Sequence, residues 1–235
     1  MTTFSHVLKN LFFLFFFLPF PLMSEQPPNV FDATIPVLDM HDFYEPQTRQ
    51  KFISDMTTAL KEVGFFAVIN TGVDKKILDE AYITAEKFFR LSKEEKLTLH
   101  HPENNGQRGY VPGESAKGQK GGDFKEFYHV GRSLTPEQKM RLGYWENVWP
   151  SQVNLQDPLY ALYEALEKYT IPLEEAMAEA IGQPESYFTD MTKEGDILFR
   201  AIHYPSNPPE DTFWAAEHTD IDLYTILPRA TAEGL

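Results

Sequence analysis

The sequence predicts an α+β fold in which a β-barrel or jelly-roll core carries helices on its outside. The order of the elements is the main reason: a front of short strands and amphipathic helices, then one long helix, then strands only. The chain also lacks any internal repeat or coiled-coil heptad, and 42% of its 235 residues are apolar, enough for one sizeable packed core.

The first segment to place is Leu11–Met23, LFFLFFFLPFPLM. It is too short to span a bilayer as a regular helix, and Pro19 and Pro21 end it. Its length suits a signal-peptide core, but no small-x-small site follows, and Met23 is an alternative start. Residues 1–30 are therefore read as an apolar extension outside the fold. Thr34 to Asp39 reads as a short strand with Pro36 near its start. Phe52, Ile53, Met56, Leu60 and Val63 recur at helical spacing and predict a helix over residues 47–63. Gly64 to Asn70 is a buried-type strand bounded by turn residues. Asp74 is an N-cap for a helix reaching about Arg90, and Ser92 with Glu95 forms a capping box for a short one.

Residues 102–122 are rich in Gly, Asn, Gln and Lys and read as a long surface loop. Asp123 to Val130 reads as a strand. Leu159, Leu162, Leu166, Tyr169, Leu173, Met177 and Ile181 hold a helical period that Pro158 opens and Pro172 interrupts with a kink. Ile197–Tyr204, Phe213–Asp220 and Leu223–Leu227 read as the closing strands.

Charge and composition exclude some classes of function. With 21 basic and 35 acidic residues the net charge is −14, which repels phosphate and argues against nucleic acid as a partner. There is no cysteine, so disulfides, thiolate metal ligands, iron–sulfur clusters and a cysteine nucleophile are excluded. A cytoplasmic location fits that composition, with secretion or anchoring through residues 1–23 as the alternative.

The residues with the clearest chemistry are His218 and Asp220. Two apart on a strand, they would point to the same face and present a nitrogen and an oxygen donor, two legs of a facial site for non-haem Fe(II). Taken alone the pattern is weak, since a chain with seven His yields about one such match by chance. A second match, His101-Pro102-Glu103, sits in the loop and reads as a solvated pair.

A series of further matches, in order, gives the pair its context. They are Ile35-Pro36-Val37-Leu38-Asp39, Gly64 to Val73, Arg108-Gly109-Tyr110-Val111-Pro112, Asp123 to Tyr128, Trp149-Pro150, Arg200 with Tyr204-Pro205, and His218-Thr219-Asp220 with Leu223, Thr225 and Leu227. From about Thr34 onward the chain resembles the isopenicillin N synthase-like branch of the Fe(II)/2-oxoglutarate-dependent dioxygenases. The resemblance implies a double-stranded β-helix (jelly roll) core, with residues 31–150 as the family's N-terminal region and 151–235 as the start of its jelly-roll domain. It implies His218 and Asp220 as iron ligands, and Fe(II), 2-oxoglutarate and dioxygen as cofactor and co-substrates. Tyr204 would bind 2-oxoglutarate, and Tyr110, Glu114 and Phe127 would line the pocket of a small-molecule substrate. For each of these four a packing or loop role is the plainer alternative, and Arg200 reads equally as a structural residue.

The family pattern has a second His several dozen residues past the H-x-D, and then an R-x-S that grips 2-oxoglutarate. Neither follows Asp220 in this sequence. The expectation is a jelly roll and an iron site incomplete at the C-terminus, completed if at all by a second polypeptide, since nothing in the spacing of His129 or His203 favours either as the third ligand. An inactive remnant that binds iron weakly, and a 2-oxoglutarate-independent oxidase of the same family, stay open as alternatives.

Overall fold

The structure, a computed structural model, describes residues 12–16 by their backbone and residues 35–113, 123–210, 212–216, 218, 220 and 222–231 in full. The chain divides into two compact units. One comprises residues 1–72, 168–190 and 219–235, and the other residues 73–167 and 191–218.

The first unit is built on a four-stranded sheet ordered β2-β3-β1-β7, with β1 Phe12–Phe16, β2 Val37–Asp39, β3 Phe65–Ile69 and β7 Tyr224–Pro228. β2 runs parallel to β3, and β1 is antiparallel to both of its neighbours. Phe13 stands opposite Ala67 on one side and Leu227 on the other. The extension set aside from the fold thus contributes a strand, and its alternation-free apolar run suits a strand paired on both edges.

Between β2 and β3 lie α1 (Met40–Tyr44) and α2 (Arg49–Glu62). Asp39 caps α1 by accepting from the His41 amide at 2.9 Å. Phe52, Ile53, Met56 and Ala59 form the buried face of α2 and pack with Phe43, Phe66, Leu173 and Met177 into the core. At its end the Gly64 amide bonds back to the Ala59 carbonyl with φ +89°, a left-handed helix stop that favours glycine.

The second unit holds a three-stranded antiparallel sheet ordered β4-β5-β6, with β4 Gly109–Val111, β5 Glu126–Val130 and β6 Phe199–His203. α3 (Lys75–Phe89) and α4 (Lys93–Leu97) carry the caps read from Asp74 and from Ser92 with Glu95. Along β5, Glu126 and Tyr128 share one face. Phe88 packs edge-on to Tyr128, with ring centres 4.8 Å apart. Phe127 and His129 point to the other face, opposite Ile202 and Arg200.

α5 (Pro136–Leu142) and α7 (Tyr187–Thr192) complete the helices with α6 (Gln156–Ala180). α6 serves both units. Leu159, Leu162, Tyr163 and Leu166 are buried in its first part, and Leu173, Ala176 and Met177 in its second. Pro172 lies inside it, and the division between units falls at Lys168, whose carbonyl Pro172 cannot bond.

Two further expectations are corrected. β4 lies inside the stretch read as loop, because a three-residue strand is stabilised by its partner β5 and leaves no local pattern; residues 114–122 lie outside the described set. The described residues between Phe213 and Asp220 form no regular strand. The Phe213 carbonyl and the Ala216 amide, groups that a ladder would otherwise use, are satisfied instead by Phe124 and Asp123, as described below.

Candidate functional site

The segment leading to His218 is tied to the start of the β5 region. The Phe124 amide donates to the Phe213 carbonyl at 2.7 Å, and the Ala216 amide donates to Asp123 Oδ1 at 3.2 Å. Trp214 Nε1 donates to the Pro205 carbonyl at 2.8 Å. Asp123 also pairs with Lys125 at 2.9 Å, and both side chains are almost wholly buried.

His218 is exposed, and its Nδ1 lies 2.7 Å from the Ala216 carbonyl. A carbonyl only accepts, so Nδ1 carries the proton and the neutral ring has its lone pair on Nε2. That is the form a metal-binding imidazole takes when a backbone carbonyl fixes its tautomer. Asp220 is half-buried, and its Oδ2 accepts from the Thr225 hydroxyl at 2.6 Å; Asp222 Oδ2 lies 3.2 Å from the same hydroxyl. A neutral imidazole and a carboxylate are donor types that fit Fe(II). Among the described residues, however, no group of three His, Asp or Glu is arranged to hold a metal. By donor type each of the two residues suits such a metal.

His129 is excluded by its hydrogen bonds. Its Nδ1 donates to the Gly106 carbonyl at 2.5 Å, and its Nε2 accepts from Arg200 Nε at 2.7 Å. Both ring nitrogens are used. Arg200 completes this layer by lying over the Phe127 ring, 4.5 Å from its centre, so packing and pairing account for it. His203 turns its Nδ1 to Glu126 at 2.8 Å and stacks on Phe89 at 5.2 Å.

Tyr204 is half-buried. Burial pushes its phenol above the ordinary range, Lys125 and Arg200 draw it back in part, and Asp123 adds to the rise. Its hydroxyl therefore keeps its proton at neutral pH and can donate. Phe127 is buried on the sheet face it shares with His129 and Arg200. Tyr110 is buried with its hydroxyl donating to Glu126 Oε2 at 2.5 Å. Its polar end thus belongs to a buried cluster rather than to an open pocket. Glu114 lies outside the described residues.

That cluster is centred on a residue to which the sequence reading gave no role. Glu126 accepts from Lys96 at 2.7 and 2.9 Å, from Tyr110 and from His203. Burial alone would push its carboxyl up, but the hydrogen bonds from Lys96, Tyr110 and His203 outweigh burial and hold it below its usual range. The sequence signal was three charged residues, Asp123, Lys125 and Glu126, crowded at the start of a stretch rich in aromatic residues.

Residues 35–152 match the family model described as non-haem dioxygenase in morphine synthesis, N-terminal. The chain belongs to the Fe(II)/2-oxoglutarate-dependent dioxygenase family. Among the similar relatives, the 2-oxoglutarate-dependent dioxygenase traH of Penicillium crustosum is 31% identical over 83% of this chain and 64% of its own length. The corresponding figures for the 2-oxoglutarate-dependent dioxygenase thnC of Trichoderma harzianum are 27%, 91% and 68%. A solved 2OG-Fe(II) oxygenase family protein of Caulobacter crescentus is 28% identical, with a TM-score of 0.67 over 77% of this chain and 59% of that one. A full-length Neurospora crassa protein, solved in complex with alpha-KG, is 26% identical with a TM-score of 0.61, covering 78% of this chain and 55% of that one.

The α+β, jelly-roll fold class expected from the sequence is the fold of these dioxygenases. This dioxygenase-family chain spans less than two thirds of the length of the first of its curated relatives. Among its described residues no helix is long and apolar enough to cross a membrane.

Proposed function

We propose that this chain is the part of a non-haem Fe(II), 2-oxoglutarate-dependent oxygenase that supplies two of the iron ligands, His218 and Asp220, and that the enzyme oxidises a small-molecule substrate. The observation that carries the reading is the Ala216 carbonyl on His218 Nδ1, which sets the tautomer that a metal-binding imidazole uses, in the H-x-D of a dioxygenase-family chain. Iron in such a centre, with 2-oxoglutarate and dioxygen, supplies the oxidising power by coupling decarboxylation of the oxo acid to oxidation of the substrate.

The protein's own residues bind and orient. Thr225 holds Asp220 by one carboxylate oxygen, which fixes the orientation of the other. Tyr204, a neutral phenol whose pKa burial raises further, donates to a 2-oxoglutarate carboxylate. Phe127 belongs to the proposed substrate-side set on one face of β5, and Tyr110 braces the same strand from its other face through Glu126. Glu114 belongs to the same proposed substrate-side set. The third ligand is supplied from outside the described residues, by this polypeptide or by a second one. A cytoplasmic location belongs to the same reading, in keeping with a cysteine-free chain.

The test is anaerobic Fe(II) binding by the full chain and by His218→Ala, followed by succinate formation from 2-oxoglutarate in air. Saturable binding lost in the variant, with Fe(II)-dependent succinate, is the expected result. Weak binding unchanged in the variant, with no succinate above a metal-free control, overturns the proposal.

A further inference from the structure

We infer that Asp123 is a positioning residue for the metal-binding imidazole, acting through Ala216. The inference rests on the reading of His218 as an iron ligand, and adds what makes that histidine fit to bind.

The starting point is a buried charge whose position nothing in the sheet requires. Asp123 and Lys125 lie just before β5, with side chains 3% and 7% exposed and 2.9 Å apart. A buried ion pair gains little stability over well-packed apolar residues, so its stability contribution does not account for it. Its second contact does. Asp123 Oδ2 faces Lys125, and Oδ1 accepts the Ala216 amide proton at 3.2 Å. Lys125 thereby holds the carboxylate in one orientation, and the carboxylate holds Ala216.

Ala216 is 5% exposed, and its other backbone group, the carbonyl, takes the proton of His218 Nδ1 at 2.7 Å. The relay therefore runs from Lys125 to Asp123, to the Ala216 amide, and through that one residue to the carbonyl that fixes the imidazole. The Phe124–Phe213 backbone bond steadies the same stretch three residues earlier. Without the Asp123 acceptor the Ala216 amide is buried and unsatisfied, so the segment must shift to reach another partner. The carbonyl shifts with it, and His218 is free to take the Nε2–H form that an unconstrained histidine side chain prefers. That form has no lone pair on Nε2.

Two charge-free double variants separate the hydrogen bond from the ion pair. D123N with K125M keeps an acceptor for the Ala216 amide, whereas D123L with K125M removes it; neither leaves an uncompensated buried charge. The first readout is the pair of imidazole ¹⁵N shifts of His218 in the metal-free full chain at a pH where the ring is neutral. The second is Co(II) affinity, followed by the absorption of the bound ion. The asparagine variant is expected to keep the Nδ1–H signature and to bind Co(II) within about threefold of the unmodified chain. The leucine variant is expected to lose the signature and to bind about tenfold or more weakly, the usual scale for removing a group that orients a ligand.

A folded leucine variant that keeps the Nδ1–H signature overturns the inference, as does equal loss of the signature in both folded variants. Should the leucine variant not fold, the asparagine variant decides alone, with loss of the signature counting against the inference. Absence of Co(II) binding in the unmodified chain, with no difference in His218→Ala, would instead remove the oxygenase reading. The ¹⁵N shifts would still report whether Asp123 sets the tautomer.

Discussion

Glu126 and His218 are both polar residues in the second unit, and they are held in opposite ways. Glu126 joins residues far apart in the chain: Lys96, 30 residues before it, and His203, 77 after it. The Lys96 and Glu126 side chains are only 10% and 11% exposed, and every partner is a side chain with a defined place in the sheet or the helices. His218 is exposed and leans on a carbonyl two residues back, and Asp220 on a hydroxyl five residues on. The scaffold is thus fixed by long-range buried contacts, while the candidate ligands' own side chains bond to near neighbours, His218 to one that Asp123 in turn holds from 93 residues away. Short-range contacts cost little to adjust, so a metal ion can draw such ligands into its own geometry. A buried hub cannot adjust without breaking the fold.

Stability and metal binding should therefore respond to different residues. The largest expected effect is Glu126→Ala. It leaves the Lys96 ammonium buried without its carboxylate and should lower the unfolding free energy by about 3–5 kcal/mol, measured by urea denaturation. Next is Gly131→Ala. A β-carbon there would land on the Arg108 guanidinium, which is 1% exposed and bonded to Asp196 at 2.5 Å, so it has little room to withdraw. A loss of about 1–3 kcal/mol is expected in the same assay, the usual range for overpacking.

The hub also sets an acid limit. Because the Glu126 carboxyl is held below its ordinary value of 4.5 when folded, its stabilising contribution is present above that value. It is lost as pH falls through the lower folded value. Melting temperatures of the unmodified chain should therefore drop below pH 4.5, and Glu126→Gln should show a shallower drop. A parallel acid limb in the two proteins would show that other carboxyls set the limit.

The smallest effects on stability belong to the ligand stretch. His218→Ala should change the unfolding free energy by no more than about 0.5 kcal/mol, as for an exposed surface residue, while removing Fe(II) binding. Thr225→Val should also leave the fold intact and weaken Fe(II) binding by about tenfold, since Asp220 loses the group that orients it. A large loss of stability in either variant would erase the contrast between scaffold and ligands.

Much of the scaffold was legible because it is local. The helix at Arg49–Glu62 follows from the spacing of Phe52, Ile53, Met56 and Leu60, and the two helices after it from Asp74 and Ser92 as caps. The Pro136–Leu142 helix carried an equally clear signal, a Thr135–Gln138 capping box with Pro136 in its first turn, which the reading of that region passed over. Tyr110 and His203 could not be joined to Glu126 from spacing, because their meeting depends on strand pairing across most of the chain. The H-x-D was legible as a pattern. The irregular backbone around it was not, because Asp123 and Thr225, which hold it, lie outside the window where a strand pattern is read.

The placement of β1 has a consequence for how the molecule is made. Phe12–Phe16 leaves the ribosome long before its partner Tyr224–Pro228. An apolar strand must therefore stay unpaired on one edge until that partner has been synthesised. Pairings that distant in sequence form slowly, and exposed apolar edges attract one another meanwhile. Yield of the native chain should accordingly depend on translation speed and on chaperones that cover this strand. Loss of material during production would trace to β1 rather than to the ligand stretch.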